Sequence, residues 1–214
     1  MPTAVVFGKG PLAIHAIEVL RASKYLISLV VPVAKEPTWT DSLSNWADEQ
    51  GLPVLRSGRL EDLPNRNYDL GLSVFYDQIF KSKTISQFGE LLNLHHSLLP
   101  RHRGVAPVHW ALKCGDRVHG VTLHKIDTGI DTGPVIAQVS FPLVPEVDEV
   151  EDVYKRCIEY GKLLITDALP RLDYLPRTTQ DESLAVYHNR ASLKELGDRA
   201  GLRRSQEVMR GEIE

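Results

Sequence analysis

The sequence predicts an α/β protein with a Rossmann-like, doubly wound, mostly parallel sheet. Two observations support this fold class. Short apolar stretches alternate with helical patterns through the first half of the chain, and this alternation is typical of parallel strands connected by helices. The first apolar stretch also ends in a glycine-containing turn, at residues 8–11, that leads directly into a helical pattern. Strand, glycine turn and helix in this order form the start of an α/β unit.

Five strands are expected in the first half of the chain, each from a short apolar run bounded by turn residues. They cover residues 3–7, 25–33, 52–55, 69–75 and 91–94. Three helices are expected between them, at residues 13–20, 43–51 and 84–88. Asp41 is the expected cap of the second helix, because a carboxylate can accept hydrogen bonds from the free N–H groups of a first turn.

The second half of the chain predicts an antiparallel extension of the sheet. Strands are expected at residues 118–125 and 134–141, joined through the turn-rich sequence TGIDTG. A long helix at residues 150–169 follows, with apolar residues on a helical spacing. Beyond it we expect a strand at 185–188 and a charged helix at 192–200. This pattern indicates one domain at residues 1–175 and a C-terminal tail or small extension at residues 176–214.

Composition indicates an ordinary globular protein. The 214 residues include 25 Lys and Arg against 28 Asp and Glu, a formal net charge of −3. Such a balance gives no broad basic field, so nucleic acid is not an expected partner. Cys114 and Cys157 form no CxxC pair, which fits reduced thiols and excludes a cysteine zinc cluster. With neither a signal-peptide pattern nor an apolar run of ~20 residues, we expect a cytoplasmic protein without membrane contact.

The glycine turn at residues 8–11 has two interpretations. Backbone N–H groups at the start of a helix can hold a phosphate, and Lys9 would assist. The turn lacks the third glycine of a G-x-G-x-x-G motif, because Ala13 occupies that place. A tight strand-to-helix turn explains the glycines equally well.

Four histidines in a short span raise the question of a metal site. They are His95, His96, His102 and His109. Adjacent residues on a strand point to opposite faces, so His95 and His96 cannot easily bind one ion together. The segment has no HExxH motif and no cysteine pair to support one. We therefore expect no metal.

Three groups suited to acyl transfer lie between residues 93 and 133: the amide of Asn93, the imidazole of His95 and the carboxylate of Asp131. Asn93 and His95 follow the fifth predicted strand, and functional groups in doubly wound sheets collect at the carboxyl ends of strands. Each residue alone could merely satisfy loop backbone groups or form a turn. Their order and spacing together favour a catalytic role.

The chemistry of these side chains is coherent. When an amine attacks an acyl carbon, the oxygen of the tetrahedral intermediate gains negative charge. Asn93 can donate to that oxygen, and losing one such donor typically costs ~2.7–4 kcal/mol of transition-state stabilisation. His95 can move protons, and Asp131 can orient it and support its charge, as in a triad without a covalent nucleophile. Ser97 lacks the G-x-S-x-G context of a nucleophile, so we interpret it as a turn residue.

The central segment resembles the 10-formyltetrahydrofolate-dependent formyltransferase family. The resemblance extends over roughly residues 3–170 and is carried by Asn93, His95, Ser97-Leu98-Leu99-Pro100, Arg103-Gly104, Pro107 and residues 127–133. It implies the formyltransferase fold, a catalytic domain at residues 1–175, 10-formyltetrahydrofolate as cosubstrate, and no metal. It also implies that Asn93, His95 and Asp131 are the catalytic trio.

The resemblance further implies a pterin site, built from the segment after the fourth strand and the loop before the catalytic aspartate. The corresponding residues are Phe75, Tyr76, Asp77, Gln78, Ile79, Leu92, Asp127 and Ile130. Members of the family recognise the pterin largely through backbone groups and an apolar slot.

Three branches of the family compete for the amine acceptor. Methionyl-tRNA formyltransferases carry a further C-terminal domain, for which 214 residues leave no room. Glycinamide ribonucleotide formyltransferases hold the substrate phosphate with a Ser/Thr-Asn pair in the N-terminal glycine loop, and residues 7–12 lack that pair. Enzymes that formylate nucleotide-linked amino sugars are most similar at residues 107–112 and 120–138. We therefore expect the sugar branch.

The expected acceptor contacts are Lys9, His96, Arg101, Arg103 and His109, which would bind the amino sugar or its phosphates. A homodimer is possible. The alternatives are a phosphoribosylglycinamide formyltransferase, a 10-formyltetrahydrofolate hydrolase, which needs the same trio, and a non-catalytic nucleotide-binding module.

Overall fold

The computed structural model describes residues 1–197. Within them the strands are β1 (Thr3–Gly8), β2 (Leu26–Pro32), β3 (Tyr68–Val74), β4 (Phe88–His95), β5 (Arg103–Gly104), β6 (Val118–Lys125), β7 (Val135–Pro142) and β8 (Tyr187–His188). The α-helices are α1 (Gly10–Ala22), α2 (Leu43–Glu49), α3 (Ser82–Ile85), α4 (Pro107–Cys114) and α5 (Val150–Ala168). Short 3₁₀ helices lie at Leu60–Asp62, Leu169–Tyr174, Glu182–Leu184 and Arg190–Leu196.

Six strands form one central sheet, in the order β2-β1-β3-β4-β6-β7. The pairings from β2 to β4 are parallel, and those of β6 with β4 and with β7 are antiparallel. The predicted α/β class and the antiparallel extension are therefore confirmed. β5 and β8 form a separate two-stranded parallel sheet.

Both faces of the central sheet are covered. Along β1, Ala4 and Val6 belong to the larger apolar cluster, whereas Val5 and Phe7 belong to the smaller one. This alternation is the period of two that a strand imposes on its side chains. The larger cluster includes the buried faces of α1 and α5, which pack against each other.

The turn from β1 into α1 requires glycine at position 8. Gly8 has φ +153°, and a Cβ there would lie 2.0 Å from the carbonyl oxygen of Val74 on the neighbouring strand. The close approach of the Gly8 and Val74 backbones is therefore a sufficient reason for glycine at this position. Phosphate binding by the turn stays a prediction.

Some predicted elements are wrong. Residues 52–55 form no strand, only an isolated bridge between Val54 and Val30. Asp41 does not cap α2. Instead, the Ser42 hydroxyl accepts a hydrogen bond from the N–H of Asn45, and the Glu36 carboxylate accepts one from the N–H of Leu43. The helix expected at 84–88 occupies Ser82–Ile85, because Phe88 already begins β4.

The structure contains one helix that the sequence pattern did not indicate, α4. Its N-cap, Ala106, is left-handed (φ 54°) and makes no side-chain capping hydrogen bond, so the usual polar start signal is absent. At the other end, the strand expected at 185–188 is confirmed as the short β8. Instead of the α-helix expected at 192–200, the described part shows the 3₁₀ helix Arg190–Leu196, and residues 198–200 lie outside the described residues.

None of the helices in the part of the chain that the structure describes is long and apolar enough to cross a membrane. The division at residue 175 stays a prediction. Residues 176–188 nevertheless make close contacts with the loops that follow β4 and β6.

Candidate active site

The three predicted catalytic residues meet at one carboxylate. Asn93 and His95 lie at the carboxyl end of β4, and Asp131 lies on the loop between β6 and β7. Asn93 Nδ2 is 3.4 Å from Asp131 Oδ1, and His95 Nδ1 is 3.5 Å from Asp131 Oδ2. The sheet therefore brings residues far apart in the sequence into one site, as the strand-end rule predicts.

His95 is 7% exposed, and the roles of its two ring nitrogens differ. Nε2 lies 2.9 Å from the carbonyl oxygen of His102, which can only accept, so Nε2 carries a hydrogen. Nδ1 faces Asp131. His95 can therefore take up a proton at Nδ1 with a carboxylate as counter-charge, without breaking an existing hydrogen bond.

Asp131 is held in its ionised form. Burial would raise its pKa, but the adjacent His95 and His124 and the N–H of Gly104, which donates at 2.8 Å, together hold the pKa well below its usual range. Its backbone is left-handed, with φ 55°. Such a conformation is uncommon for a residue other than glycine and persists where the surroundings fix it.

Sequence reasoning missed His124, a fourth member of this cluster. It pairs with Asn93 across the β4–β6 ladder, and its Nε2 is 3.2 Å from Asn93 Nδ2 and 3.4 Å from Asp131 Oδ1. Its Nδ1 is 2.9 Å from the carbonyl oxygen of Lys125. Only the antiparallel register puts His124 opposite Asn93, and no local pattern encodes that register.

The loop from β4 to β5 supplies the backbone groups that hold this cluster. Ser97 is buried and donates its hydroxyl to the carbonyl of Arg101 at 2.6 Å, in keeping with the turn role predicted for it. Gly104 has φ +88°, and a Cβ there would lie 2.1 Å from the carbonyl oxygen of His188. Glycine is therefore required where the loop passes β8.

A cleft opens beside Asn93, His124 and Asp131. Of the predicted pterin residues, five line it: Tyr76, Gln78, Ile79, Asp127 and Ile130. Ser73, Phe80, Ile126 and Gly129 also line it and were not predicted. Tyr76 and Gln78 both donate to the carbonyl of Gly58, which fixes this wall of the cleft.

The other three residues predicted for the pterin do not line the cleft. Leu92 is fully buried in the larger core cluster. Asp77 is exposed and lies near Lys9; burial lowers the pKa of Lys9, and the Asp77 carboxylate offsets part of that shift. Phe75 stacks on His96, with ring centroids 3.6 Å apart. The roles assigned to these residues stay predictions.

Two of the predicted acceptor residues lie near an aromatic cluster formed by Phe75, Tyr154 and Trp39. Burial lowers the pKa of Lys9, and its ammonium lies 5.9 Å from the centre of the Trp39 ring. His96 packs between Phe75 and Tyr154, and burial, together with nearby positive groups, lowers its pKa well below the usual range. Lys9 is also the residue that directly precedes the first turn of α1.

The remaining predicted acceptor residues are engaged elsewhere. Arg101 is half exposed and pairs with Asp116 at 2.7 Å. The Arg103 side chain is 5% exposed and donates to Gln180 and Glu182. His109 is buried on α4 and 4% exposed, and burial lowers its pKa to about 4. Acceptor binding by these three stays a prediction.

Among residues 1–197, no group of three or more His, Cys, Asp or Glu side chains has an arrangement that could hold a metal ion. The cluster around Asp131 pairs one carboxylate with imidazoles and an amide that contact one another. Its groups can position protons and donate hydrogen bonds.

Comparison with known proteins agrees with this geometry. Residues 57–169 match the family model described as formyl transferase. The methionyl-tRNA formyltransferase of Deinococcus radiodurans is 34% identical over 200 residues, which cover 87% of this chain. The match covers 62% of that relative.

Two solved structures are also similar. One is the N-formyltransferase from Helicobacter canadensis in complex with folinic acid and dTDP-3-aminofucose, with 26% identity, a TM-score of 0.78 and coverage of 89% of this chain and 72% of that one. The other is WlaRD, a sugar 3N-formyltransferase with dTDP and 5-N-formyl-tetrahydrofolate, with 25% identity, a TM-score of 0.79 and coverage of 90% and 71%. The family model, which matches more than half of the chain, confirms the predicted family: this chain belongs to the formyl transferase family.

Proposed function

We propose that this protein transfers a formyl group from 10-formyltetrahydrofolate to the amino group of a nucleotide-linked amino sugar. One observation carries the transfer chemistry. Asn93, His95 and Asp131 converge, with His124, beside a cleft that five of the predicted pterin residues line. An amide donor, a proton carrier and a buried carboxylate are the groups that acyl transfer between nitrogens needs.

The reaction balances with these groups alone. The acceptor amine attacks the formyl carbon, and the carbonyl oxygen becomes an oxyanion that Asn93 Nδ2 can stabilise. The present contacts of Nδ2, at 3.2 and 3.4 Å, are long, so little is lost when it turns to that oxygen. His95 Nδ1 accepts a proton from the attacking nitrogen while Asp131 balances the charge. The proton then passes to the folate N10 as its bond to carbon breaks.

Three features support an anionic acceptor. α1 begins at Gly10 without a side-chain cap, which leaves N–H groups of its first turn free for an anion. Lys9 lies beside this turn, and its ammonium is 5.9 Å from the centre of the half-exposed Trp39 ring, an aromatic surface of the kind on which a base stacks. Of the two similar solved structures, one was obtained with dTDP-3-aminofucose and the other with dTDP.

A second acceptor, methionyl-tRNA, also has support, because several curated proteins of similar sequence are methionyl-tRNA formyltransferases. The part of each relative that this chain matches differs: it is 62% of the length of the first relative and 26% of the length of another. Methionyl-tRNA therefore belongs in the same assay as the sugars.

The test is an acceptor panel under identical conditions. The protein and 10-formyltetrahydrofolate are incubated with dTDP- and UDP-linked amino sugars, glycinamide ribonucleotide, methionyl-tRNA or no amine, and tetrahydrofolate and formylated product are both measured. We expect formylation of an amino sugar by the wild type, and product formation about 10²- to 10³-fold slower with an Asn93→Ala variant. Formylation of glycinamide ribonucleotide or methionyl-tRNA alone would refute the sugar assignment. Folate release without any amine would indicate a hydrolase.

A further inference from the structure

Residues 176–188, called the strap from here on, run past β7, the Asp131 loop and β5. Thr178 exchanges two backbone hydrogen bonds with Val135, each 2.8 Å long. Further along, the N–H groups of Arg103 and Val105 donate to carbonyl oxygens of β8 and the residue before it. The strap thus contacts both loops that meet at the catalytic cluster.

Gln180, which is 7% exposed, forms hydrogen bonds with residues of both loops. Its Oε1 accepts from Arg103 Nε at 3.1 Å and from Arg103 Nη2 at 2.9 Å. Its Nε2 donates to the carbonyls of Asp131 at 2.9 Å and Gly133 at 2.7 Å. Every hydrogen-bonding group of this amide is therefore used, and the amide links one loop to the other.

Arg103 is itself fixed. Its guanidinium also donates to both carboxylate oxygens of Glu182, at 2.9 and 2.7 Å. A bidentate pair of this kind fixes the orientation of the guanidinium as well as stabilising the contact. Arg103 immediately precedes Gly104, whose N–H donates to Asp131 Oδ2. Its side chain is thus anchored to the strap while the adjacent backbone holds the catalytic carboxylate.

We propose that Gln180 is a positioning residue for the active site: by joining Arg103 to the backbone of Asp131 and Gly133, it sets the distance between Asp131 and His95. The left-handed backbone of Asp131 requires such support, because that conformation is costly for a side-chain-bearing residue. Gln180 touches none of the catalytic side chains, so it acts through the Asp131 main chain. The kinetic part of this inference rests on the proposed formyl transfer.

The first readout does not depend on turnover. The imidazole ¹⁵N resonances are recorded on the full chain at one pH, and those of His95 are identified by their loss in His95→Gln. We expect the Nδ1 resonance to move in Gln180→Leu, because Asp131 no longer faces it at the native distance. The matched control is Arg177→Met, which removes another strap anchor, the bidentate pair with Glu90 at 2.9 and 2.8 Å. In this control the His95 resonances should stay at their wild-type positions.

The second readout is steady-state kinetics with the acceptor that the panel identifies. Misplacement of catalytic groups by about 1 Å can cost ~10²-fold in rate, so we expect kcat to fall about 10- to 100-fold in Gln180→Leu with KM nearly unchanged. Arg177→Met should retain the wild-type kcat. Gln180→Glu serves as the second variant, since it keeps acceptor oxygens for Arg103 but no longer donates to the two carbonyls.

The outcomes are distinct. The proposal is supported if both Gln180 variants show a shifted His95 resonance and a lower kcat. Arg177→Met must then show the wild-type resonance and the wild-type kcat. Wild-type resonances in a folded Gln180 variant overturn it, as does the same change in Arg177→Met. A wild-type protein without formyl transfer to any amine refutes the proposed function, while the resonances still decide whether Gln180 positions Asp131.

Discussion

His109 offers a quantitative test of whether a predicted acceptor residue belongs to the core. Its side chain is 4% exposed, its Nε2 has no hydrogen-bond partner, and burial lowers its pKa from 6.5 to about 4. The folded protein thus binds this proton less readily than the unfolded chain. The contribution of His109 to stability is full above pH 6.5 and is lost as the pH falls from 6.5 towards 4.

The magnitude follows from linkage. With those two pKa values, acidification from pH 7 to pH 5 should cost about 2 kcal/mol through His109. His109→Leu removes the titrating group, so the stability of the wild type relative to this variant should fall by about that amount over the same interval. Urea unfolding followed by circular dichroism at pH 7, 6 and 5 measures it.

Leu112→Ala is the matched control, because Leu112 lies on the same helix, is 6% exposed and does not titrate. Its destabilisation should be the same at all three pH values. If the free energies of unfolding of the wild type and His109→Leu also differed by the same amount at all three pH values, within about 0.5 kcal/mol, the burial argument would be wrong. In that case His109 would again be a candidate for contact with the acceptor.

Three further predictions concern the catalytic cluster and the cleft. Asn93→Ala should lower kcat about 10²- to 10³-fold with little change in KM, as measured by product formation at saturating substrates. Asp131→Asn should lower the free energy of unfolding at pH 7. Its difference in this free energy from the wild type should narrow as the pH falls below 3.8, because the stability that the lowered pKa of Asp131 provides is lost as the carboxyl of the unfolded chain becomes protonated. Urea unfolding at pH 7 and pH 3 tests this sign. Ile79 is 69% exposed at the cleft, so Ile79→Asp should raise KM for 10-formyltetrahydrofolate about tenfold and leave KM for the acceptor unchanged.

Local sequence patterns were sufficient for the parts of the site that lie on parallel strands. Asn93 and His95 were predicted at a strand end because a buried apolar run stops there, and doubly wound sheets gather functional groups at such ends. Asp131 was found through the motif rather than through any structural rule. The strand predicted at residues 52–55 was wrong because apolar residues flanked by turn formers also suit an extended segment with one bridge.

Long-range geometry accounts for the members of the site that were missed. His124 faces Asn93 only because β6 pairs with β4 in one register, and a shift by one residue would turn it to the other face. Gln180 lies in a polar, irregular segment, where periodicity carries no information. Its importance arises from hydrogen bonds to residues 47 and 77 positions away in the sequence.

The arrangement around Asp131 also indicates which histidine exchanges the proton. Nδ1 of His124 must carry a hydrogen to donate to the carbonyl of Lys125. Its Nε2 lies 3.2 Å from Asn93 Nδ2 and 3.4 Å from Asp131 Oδ1, so it accepts from the amide when it has no hydrogen and donates to the carboxylate when it has one. His95 Nδ1 faces only the carboxylate. His95 can therefore exchange a proton with the carboxylate of Asp131 as counter-charge and without disturbing a contact of Asn93, whereas a hydrogen on His124 Nε2 would displace the contact with Asn93 Nδ2.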